Sequence, residues 1–196
     1  MQISKVHKGF TLIEVLVAVA LFTIVVTVSV SALLVILDAN RKAQNVSNTI
    51  NNAFFSFETM TRLMRTGMSY HCGASGTVSS PQDCSAGGAE VYFTDDRGQF
   101  VHIWFDTSSA TGTVMQAVDI DGVEGAGSFG PAYPLTANDF DVQQLLFTVT
   151  GSATVGGGDR AQPLTTVVLY GITNKGKKWA SDLKLQSTVT QRMLDI

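Results

Sequence analysis

Cysteine is scarce in this chain: only Cys72 and Cys84 occur among its 196 residues. Eleven residues separate the two, so they do not form the Cys-x-x-Cys motif of thiol oxidoreductases. Neither His71 nor His102 adds a recognisable finger or zinc-enzyme spacing to the pair. The sequence therefore disfavours both redox catalysis and a zinc centre.

Catalytic motifs are also missing. The chain has no Gly-x-Ser-x-Gly nucleophile elbow, no His-Glu-x-x-His zinc motif and no phosphate-binding loop. Asp95, Asp96 and Arg97 bring charges of both signs together, but they precede Gly98 in a turn-like segment that is typical of a hairpin end. We therefore predict that the protein is not an enzyme and that it has no cofactor.

Charge is absent from one long segment. No charged residue occurs from Val15 to Leu37, and an apolar helix of this length can cross about 30 Å of hydrocarbon. Glu14 stands directly before this segment, where an unpaired carboxylate costs on the order of a few kcal/mol. The sequence therefore predicts a transmembrane helix that starts beside a functional carboxylate.

The residues around Glu14 form a specific motif. A basic leader ends in Lys8-Gly9, and the ten residues KGFTLIEVLV, from Lys8 to Val17, resemble the class III signal of type IV pilins and pseudopilins. The resemblance implies that a prepilin peptidase cuts between Gly9 and Phe10 and methylates the new amine of Phe10. It also implies that Glu14, the fifth residue of the mature chain, pairs with an N-terminal amine, often that of a neighbouring subunit. Such a pairing agrees with the need of a buried carboxylate for a cation.

Three other interpretations of this segment are open. The leader lysines and the small residues Ala18-Val19-Ala20 imitate a secretory signal peptide, although the apolar run is longer than a normal h-region and Glu14 would interrupt such a region. A plain single-pass anchor leaves the junction of Gly9 and Phe10 unexplained. A buried core helix would have to be apolar on every side for more than twenty residues, which a chain of this size can hardly cover.

The leader also predicts the topology. Lys5 and Lys8 precede the span and favour a cytoplasmic N-terminus, so the chain is expected to cross the cytoplasmic (inner) membrane once, with its head outside. Without residues 1–9, eleven Lys and Arg stand against sixteen Asp and Glu, and no nucleic-acid partner is expected. Outside the cytoplasm, Cys72 and Cys84 are expected to form a disulfide, which would contribute about 3 kcal/mol by loop closure.

The periodicity changes twice after the span. Apolar residues at three- and four-residue steps predict an amphipathic helix that ends at Gly67, with a buried face made of Ala43, Val46, Ile50, Phe54, Phe57, Met60 and Met64. Alternating residues then predict strands at 90–94, 99–106, 113–118, 142–150, 164–170 and 183–189.

These patterns give an α+β organisation, and the resemblance of the N-terminus implies that it is pilin-like. We predict a leader at 1–9, a transmembrane and assembly helix at 10–37, an amphipathic helix at 38–67 and a β-rich extracytoplasmic head at 68–196, in which an antiparallel sheet covers the helix.

One acidic turn resembles part of a calcium loop. Asp119, Asp121 and Glu124 lie close to Gly122, but the remaining oxygen ligands and the length of an EF-hand are missing. Calcium sites occur in some pseudopilins, so the resemblance makes these three residues calcium candidates. The alternative is a solvated turn between strands.

A second resemblance concerns the head. Residues 134–140, 146–151, 165–169 and 185–192 look like the heads of J-type minor pseudopilins of type II secretion and of W-type minor pilins. This resemblance implies that the protein is a low-copy, non-enzymatic subunit of a secretion pseudopilus. Its implied partners are the prepilin peptidase, other minor and major pilins or pseudopilins, the inner-membrane assembly platform and the lipid bilayer. Two alternatives stay open: a minor pilin of a type IV pilus for adhesion, motility or DNA uptake, and a stand-alone anchored binding domain.

Overall fold

The computed structural model describes residues 9–73, 79–119, 129–153 and 161–192. The chain divides into two compact units, Met1–Asn45 and Val46–Ile196. One helix, α1 (Leu12–Thr66), contributes residues to both units, and eight strands follow it in the described part of the second unit. The combination of a long helix with antiparallel strands confirms the predicted α+β class.

The first unit contains the apolar part of α1. Every side chain of this helix from Leu12 to Leu37 is exposed, and by length and composition the helix can cross a membrane. Four hydroxyl side chains within it donate hydrogen bonds of 2.8 to 2.9 Å to the main-chain carbonyl three or four residues earlier. The donors are Thr23, Thr27, Ser29 and Ser31. These polar groups are therefore satisfied within the helix, as a lipid environment requires.

The buried face of α1 in the second unit differs in part from the predicted face. Its buried residues are Thr49, Ala53, Ser56, Phe57, Met60 and Met64. The last three confirm the prediction, but Phe54 is 50% exposed, Ile50 and Val46 are only half-buried and Ala43 is exposed. The core-facing side of the helix is thus rotated relative to the apolar stripe in the sequence.

Two hydroxyl groups account for this rotation. Thr49 donates a 2.6 Å hydrogen bond to the carboxylate of Asp139, and Ser56 donates one of 2.5 Å to the carbonyl of Leu135. A buried hydroxyl with a partner costs little, whereas one without a partner is expensive. Apolar periodicity cannot register a polar residue that becomes buried because it finds such a partner.

The strands form two antiparallel sheets rather than the single sheet that the sequence suggests. The first sheet has the order β1-β2-β3-β4-β5 and the second the order β6-β7-β8. Their bounds are Met68–Cys72 for β1, Glu90–Thr94 for β2, Phe100–Asp106 for β3, Thr113–Asp119 for β4, Tyr133–Pro134 for β5, Phe140–Thr150 for β6, Leu164–Thr173 for β7 and Ser181–Thr190 for β8.

All six predicted strands are present, and two short ones were not predicted. Strand β1 follows the helix after Gly67 and contains a register shift near Ser69, whose φ of 54° lies in the left-handed region. Strand β5 has only two residues, one of them Pro134. A bulged strand and a proline-containing strand lack the regular alternation on which the prediction depends.

The helix ends where the first sheet begins. A Cβ on Gly67 would lie 2.6 Å from Cδ2 of Phe93, so only glycine fits this approach of the chain to β2. The hydroxyl of Tyr70 donates to the carbonyl of Gly67 at 3.0 Å and also contacts the carbonyl of Met64, which satisfies acceptors of the last helical turn. Burial raises the pKa of Tyr70 above its ordinary value. Both sheets and the part of α1 that belongs to the second unit share one hydrophobic core.

Candidate functional site

The predicted cleavage junction lies just before the helix. Gly9 and Phe10 are not helical, and Phe10 is 82% exposed. A Cβ built on Gly9 meets no described atom within 4 Å, so the described fold does not itself require glycine at this position. Residues 1–8 of the predicted leader lie outside the described residues.

Thr11 begins the helix. Its hydroxyl oxygen accepts a 3.3 Å hydrogen bond from the N–H of Glu14, and its carbonyl accepts one from the N–H of Val15. This is the N-cap arrangement, in which a threonine satisfies one of the first helical N–H groups. Glu14 consequently occupies the third helical position, in the first turn, where the helix dipole favours a negative charge.

The carboxylate and the apolar surface beside it are accessible in the structure. Glu14 is exposed, and so is every residue of the uncharged segment from Val15 to Leu37. Two properties therefore coincide in the first unit: an acidic side chain at the helix start and an apolar cylinder that nothing in the described chain covers. Water is an unfavourable environment for such a surface, whereas lipid or apolar helices would cover it.

Comparison with known families identifies this segment. The family model for the prokaryotic N-terminal methylation motif matches residues 4–30, a range that includes Gly9, Phe10 and Glu14. No curated protein and no solved structure matches the chain. The chain thus has a prepilin-type N-terminus. It carries the N-terminal signal of the type IV pilin and pseudopilin superfamily, and the match concerns this segment and not the head.

The predicted disulfide is present in the head. Cys72 and Cys84 are bonded, with their Cα atoms 5.6 Å apart. Cys72 belongs to β1 in the first sheet, whereas the N–H of Cys84 donates a 3.0 Å hydrogen bond to the carbonyl of Val149 in β6 of the second sheet. The disulfide therefore links the two sheets as well as closing a loop.

Asp83 strengthens the same link. Its carboxylate accepts hydrogen bonds from the N–H groups of Gly151 at 3.1 Å and Ser152 at 2.8 Å, just after β6. Burial by itself raises the pKa of the Asp83 carboxyl, but the hydrogen bonds from Ser152 and Gly151 outweigh it and hold the pKa below its ordinary value. This acidic residue is thus a structural anchor in the head.

The calcium candidates are only partly described. Asp119 is 1% exposed and ends β4, paired with Phe100 of β3. Asp121 and Glu124 lie outside the described residues. Within the described ranges, no group of three or more His, Cys, Asp or Glu side chains could hold a metal ion. Calcium binding by the Asp119 turn stays a prediction.

Sequence reasoning missed an aromatic cluster on the first sheet. The ring of His102 stacks on Tyr92, with centroids 4.0 Å apart, and on Trp104 at 4.3 Å, while Phe129 lies 5.7 Å from His102. The Nε2–H of His102 donates a 2.9 Å hydrogen bond to the carboxylate of Glu90. The sequence did contain a signal for this cluster. Two of the predicted strands carry rings at positions 92, 102 and 104, which alternate with the core residues 91, 93, 101 and 103 and therefore lie on the opposite face.

Burial controls the protonation of this cluster. It lowers the pKa of His102, and the hydrogen bond and negative charge of Glu90 oppose that change only in part. Burial, followed by the charge and hydrogen bond of Glu90, raises the pKa of Tyr92 to about 12. His102 is therefore neutral at neutral pH, and Tyr92 keeps its proton.

A polar cleft of about 400 Å³ was also missed. Asp141, which is 2% exposed, accepts hydrogen bonds from the N–H of Gly112 at 2.8 Å and from Gln143 at 2.7 Å and forms an ion pair with Lys175. Because the buried carboxylate is fully engaged with neighbours in the chain, it serves to hold the start of β6 and the β7–β8 turn together.

Proposed function

We propose that the chain is a minor pseudopilin, a non-enzymatic structural subunit that joins or initiates the pseudopilus of a type II secretion system. The observation that carries this proposal is the prepilin-type signal, with Gly9, Phe10 and Glu14 in register, followed by an uncharged helix whose surface is exposed. A protein that acted alone in water would not keep such a surface uncovered.

The proposed course begins at the membrane. The prepilin peptidase removes residues 1–9 and methylates the amine of Phe10, and the segment up to Leu37 holds the subunit in the inner membrane with its head outside. The exposed, non-helical junction supports this step because an extended segment fits a protease cleft more readily than a helix does. The assembly platform then transfers the subunit from the bilayer into the filament.

Glu14 sets the position of the subunit relative to its neighbours during that transfer. Its carboxylate pairs with the N-terminal amine of a neighbouring subunit, and residues 15–37 pack against the helices of neighbours. Thr11 supports this role because it already caps the N–H of Glu14 and leaves the carboxylate side chain accessible. Within lipid or a filament core, an unpaired carboxylate is costly and a charged partner is strongly favoured.

The head contributes a rigid body rather than a reaction. Two of its acidic groups, the exposed Asp83 and the buried Asp141, accept hydrogen bonds from main-chain N–H groups. Together with the disulfide, these contacts join β6 of the second sheet to the segments around Cys84 and Gly112, which lie in the part of the chain that forms the first sheet. Such engagement suits a subunit that has to withstand extraction from a membrane.

The experiment that tests the class is intact-mass and N-terminal peptide analysis of the protein from membranes of cells that contain the matching prepilin peptidase. We expect a chain that starts at methylated Phe10. The variant Gly9→Ala should keep its leader, whereas Ser4→Ala, a matched change in the leader, should be processed normally. Retention of residues 1–9 in the wild type, or a cut after Ala20, would contradict the proposal.

A second experiment tests the secretion role. Deletion of the gene should reduce the amount of secreted proteins in the medium and leave surface pili at their normal number. The wild-type copy should restore secretion, and a Gly9→Ala copy should not. Loss of pili with normal secretion would identify a type IV minor pilin instead, and a deletion with neither effect would favour an anchored domain that acts alone.

A further inference from the structure

Three of the four sheet edges in the described part of the head are protected. At β1, the N–H of Cys72 and the carbonyl of Tyr70 bond to the main chain of Gln82. Strand β5 is two residues long and contains Pro134, which has no N–H to offer. Both edges of the first sheet are therefore unsuitable for pairing with another chain.

The inner edge of the second sheet is protected by main-chain hydrogen bonds as well. Along β6, Phe147 exchanges two 2.8 Å bonds with Gly88, Val149 accepts from Cys84, and Val142 donates to Gly112 at 2.9 Å. These contacts use the side of β6 that does not face β7. Natural proteins cover or shorten their edges in this way because free strand edges recruit other strands.

The outer edge of β8 is different. This strand, Ser181–Thr190, has ten residues, contains neither proline nor glycine and pairs with β7 without a register shift. Apart from its ladder with β7, no main-chain hydrogen bond of residues 182–190 occurs among the described residues. A row of N–H and C=O groups therefore points away from the sheet without a main-chain partner in the described chain.

The side chains of β8 leave this edge accessible. Lys184, the type of residue that often guards an edge, lies over the ring of Tyr170 on β7, with its Nζ 5.1 Å from the ring centroid. The hydroxyl of Thr188 shares a 2.9 Å hydrogen bond with that of Thr166, also on β7. Both side chains thus turn toward their own sheet and away from the edge.

From these observations we propose that β8 is a docking edge to which an extended segment of a different subunit adds as a further strand. Main-chain hydrogen bonds give such a contact its affinity, and the alternating side chains select the segment. The proposal rests on the proposed function, because it takes the partner to be a neighbour in the same filament.

The chemistry of β8 describes the segment that fits. The inner face of β8 is the one that points to the core. There Leu185 and Val189 are buried, whereas Leu183 and Ser187 are only half-buried and would be covered by apolar or small residues of an added strand. The outer face is the opposite one, and its exposed residues are Asp182, Lys184, Gln186, Thr188 and Thr190. A segment with hydroxyl or amide side chains there, and with charges opposite to Asp182 and Lys184, complements this face.

A second copy of the chain suits the edge less well. When two copies of β8 pair antiparallel over their length, Asp182 lies opposite Thr190 or Thr188, and Lys184 lies opposite Thr188 or Gln186. Neither charge then meets an opposite charge, so such a pair lacks cross-strand charge complementarity. A different subunit, which can present any of its strands, has no such restriction.

Two lysine substitutions on adjacent residues test the proposal in the full chain. Ser187→Lys places a charge on the inner face, where the free subunit can extend it past the open edge but an added strand would bury it. Gln186→Lys, the matched control, places the same charge on the outer face. We expect Ser187→Lys to reduce the amount of processed subunit in purified filaments or subunit complexes by about tenfold or more, and Gln186→Lys to change it by less than about twofold.

Two further measurements exclude other causes. The tryptophan fluorescence unfolding midpoints of both variants should match, since a misfolded head would also fail to assemble. Residue-resolved hydrogen exchange should show alternate amides of β8, those not bonded to β7, becoming protected in the complex. Protection of this alternating kind is a signature of strand addition that contact between side chains does not produce.

The proposal fails if Ser187→Lys assembles like the wild type, if both lysine variants lose assembly equally, or if the outward amides of β8 exchange equally fast in the free and the assembled subunit. Dimerisation of the purified chain through β8 would replace the different subunit with a second copy and would also overturn it. An unprocessed chain that enters no filament is a distinct result, because it contradicts the proposed function before β8 is tested.

Discussion

The hydroxyl of Thr49 on helix α1 donates a 2.6 Å hydrogen bond to the carboxylate of Asp139, the residue directly before strand β6. The side-chain amide of Asn174, in the β7–β8 turn, lies 3.5 Å from the same hydroxyl, and its main-chain N–H donates to the carbonyl of Asp139 at 2.9 Å. Three segments that are distant in sequence thus meet at one buried threonine, and this contact fixes the rotation of the helix against the head.

Replacement of Thr49 by valine should destabilise the head. Valine preserves the shape of the side chain but removes the donor to Asp139, and a hydrogen bond to a charged group contributes about 1.5 to 3 kcal/mol. Because Asp139 is exposed and water can replace the lost donor, we expect a loss below this range, about 1 kcal/mol. Denaturant unfolding of the detergent-solubilised chain, followed by the fluorescence of Trp104 and Trp179, measures it.

Thr49→Ser is the matched control for this prediction, since it keeps the hydroxyl and removes a methyl group. It should lie closer to the wild type than Thr49→Val does. Equal unfolding midpoints for the wild type and Thr49→Val would show that the hydrogen bond contributes nothing measurable.

The same threonine shows why sequence reasoning recovered the fold only in part. The long helix, its end at Gly67, six strands and the disulfide follow from local patterns of polarity and from the cysteine count. The buried positions of Thr49 and Ser56 depend on Asp139 and Leu135, which are far away in the chain, so no local pattern reports them. The division into two sheets likewise depends on long-range pairing.

The candidate functional residues were also predicted only in part. Gly9, Phe10 and Glu14 are contiguous in sequence, and a short motif suffices to find them. The aromatic cluster around His102 and the free edge of β8 arise from the arrangement of strands in space. Their strands were predicted, but which strands lie side by side, and which one remains at an edge, was not contained in the alternation of residues.

Loss of the disulfide should destabilise the head more than loss of the Thr49 hydrogen bond. Closure of the loop between Cys72 and Cys84 restricts the unfolded chain and contributes about 3 kcal/mol. We therefore expect dithiothreitol to lower the denaturant midpoint of the wild type clearly. The double variant Cys72→Ala and Cys84→Ala, measured without reductant, should unfold at a similarly low midpoint.

The double variant is also the control for this experiment, because reductant has no disulfide to act on in it. Its midpoint should be the same with and without dithiothreitol. If reduced and oxidised wild-type protein unfold at the same denaturant concentration, the disulfide has no stabilising role.

Acidification should destabilise the head through His102. Burial holds the pKa of this histidine below its ordinary value of 6.5, although the hydrogen bond to Glu90 partly opposes that effect. The unfolded chain therefore takes up a proton at a higher pH than the folded chain does, so the stabilising contribution of neutral His102 is complete above the unfolded pKa and is lost as pH falls below it.

His102→Phe should remove this dependence, because phenylalanine keeps a ring between Tyr92 and Trp104 but does not titrate. We expect the free energy of unfolding of the wild type to fall more steeply than that of the variant between about pH 7 and pH 5, and the difference between the two proteins to be constant above pH 7.5. Parallel curves over the whole range would exclude His102 as the titrating group.

Glu14→Gln should separate processing from assembly. The substitution preserves the size and polarity of the side chain and removes its charge, so the junction of Gly9 and Phe10 should be cut and methylated as in the wild type. Without the charge, the methylated amine of a neighbour has no counter-ion in an apolar environment, and entry into the filament should fall about tenfold or more. Intact mass reports the processing, and the amounts of subunit in membranes and in purified filaments report the assembly.

Glu58→Gln on the same helix is the matched control. Its carboxylate forms an exposed ion pair with Arg62 at 3.1 Å, and such surface pairs contribute about 1 kcal/mol or less. Glu58→Gln should therefore be processed and assembled like the wild type. If Glu14→Gln also enters filaments at the wild-type level, Glu14 does not act through its charge, and the register of the subunit has to be set by the apolar surface of α1 alone.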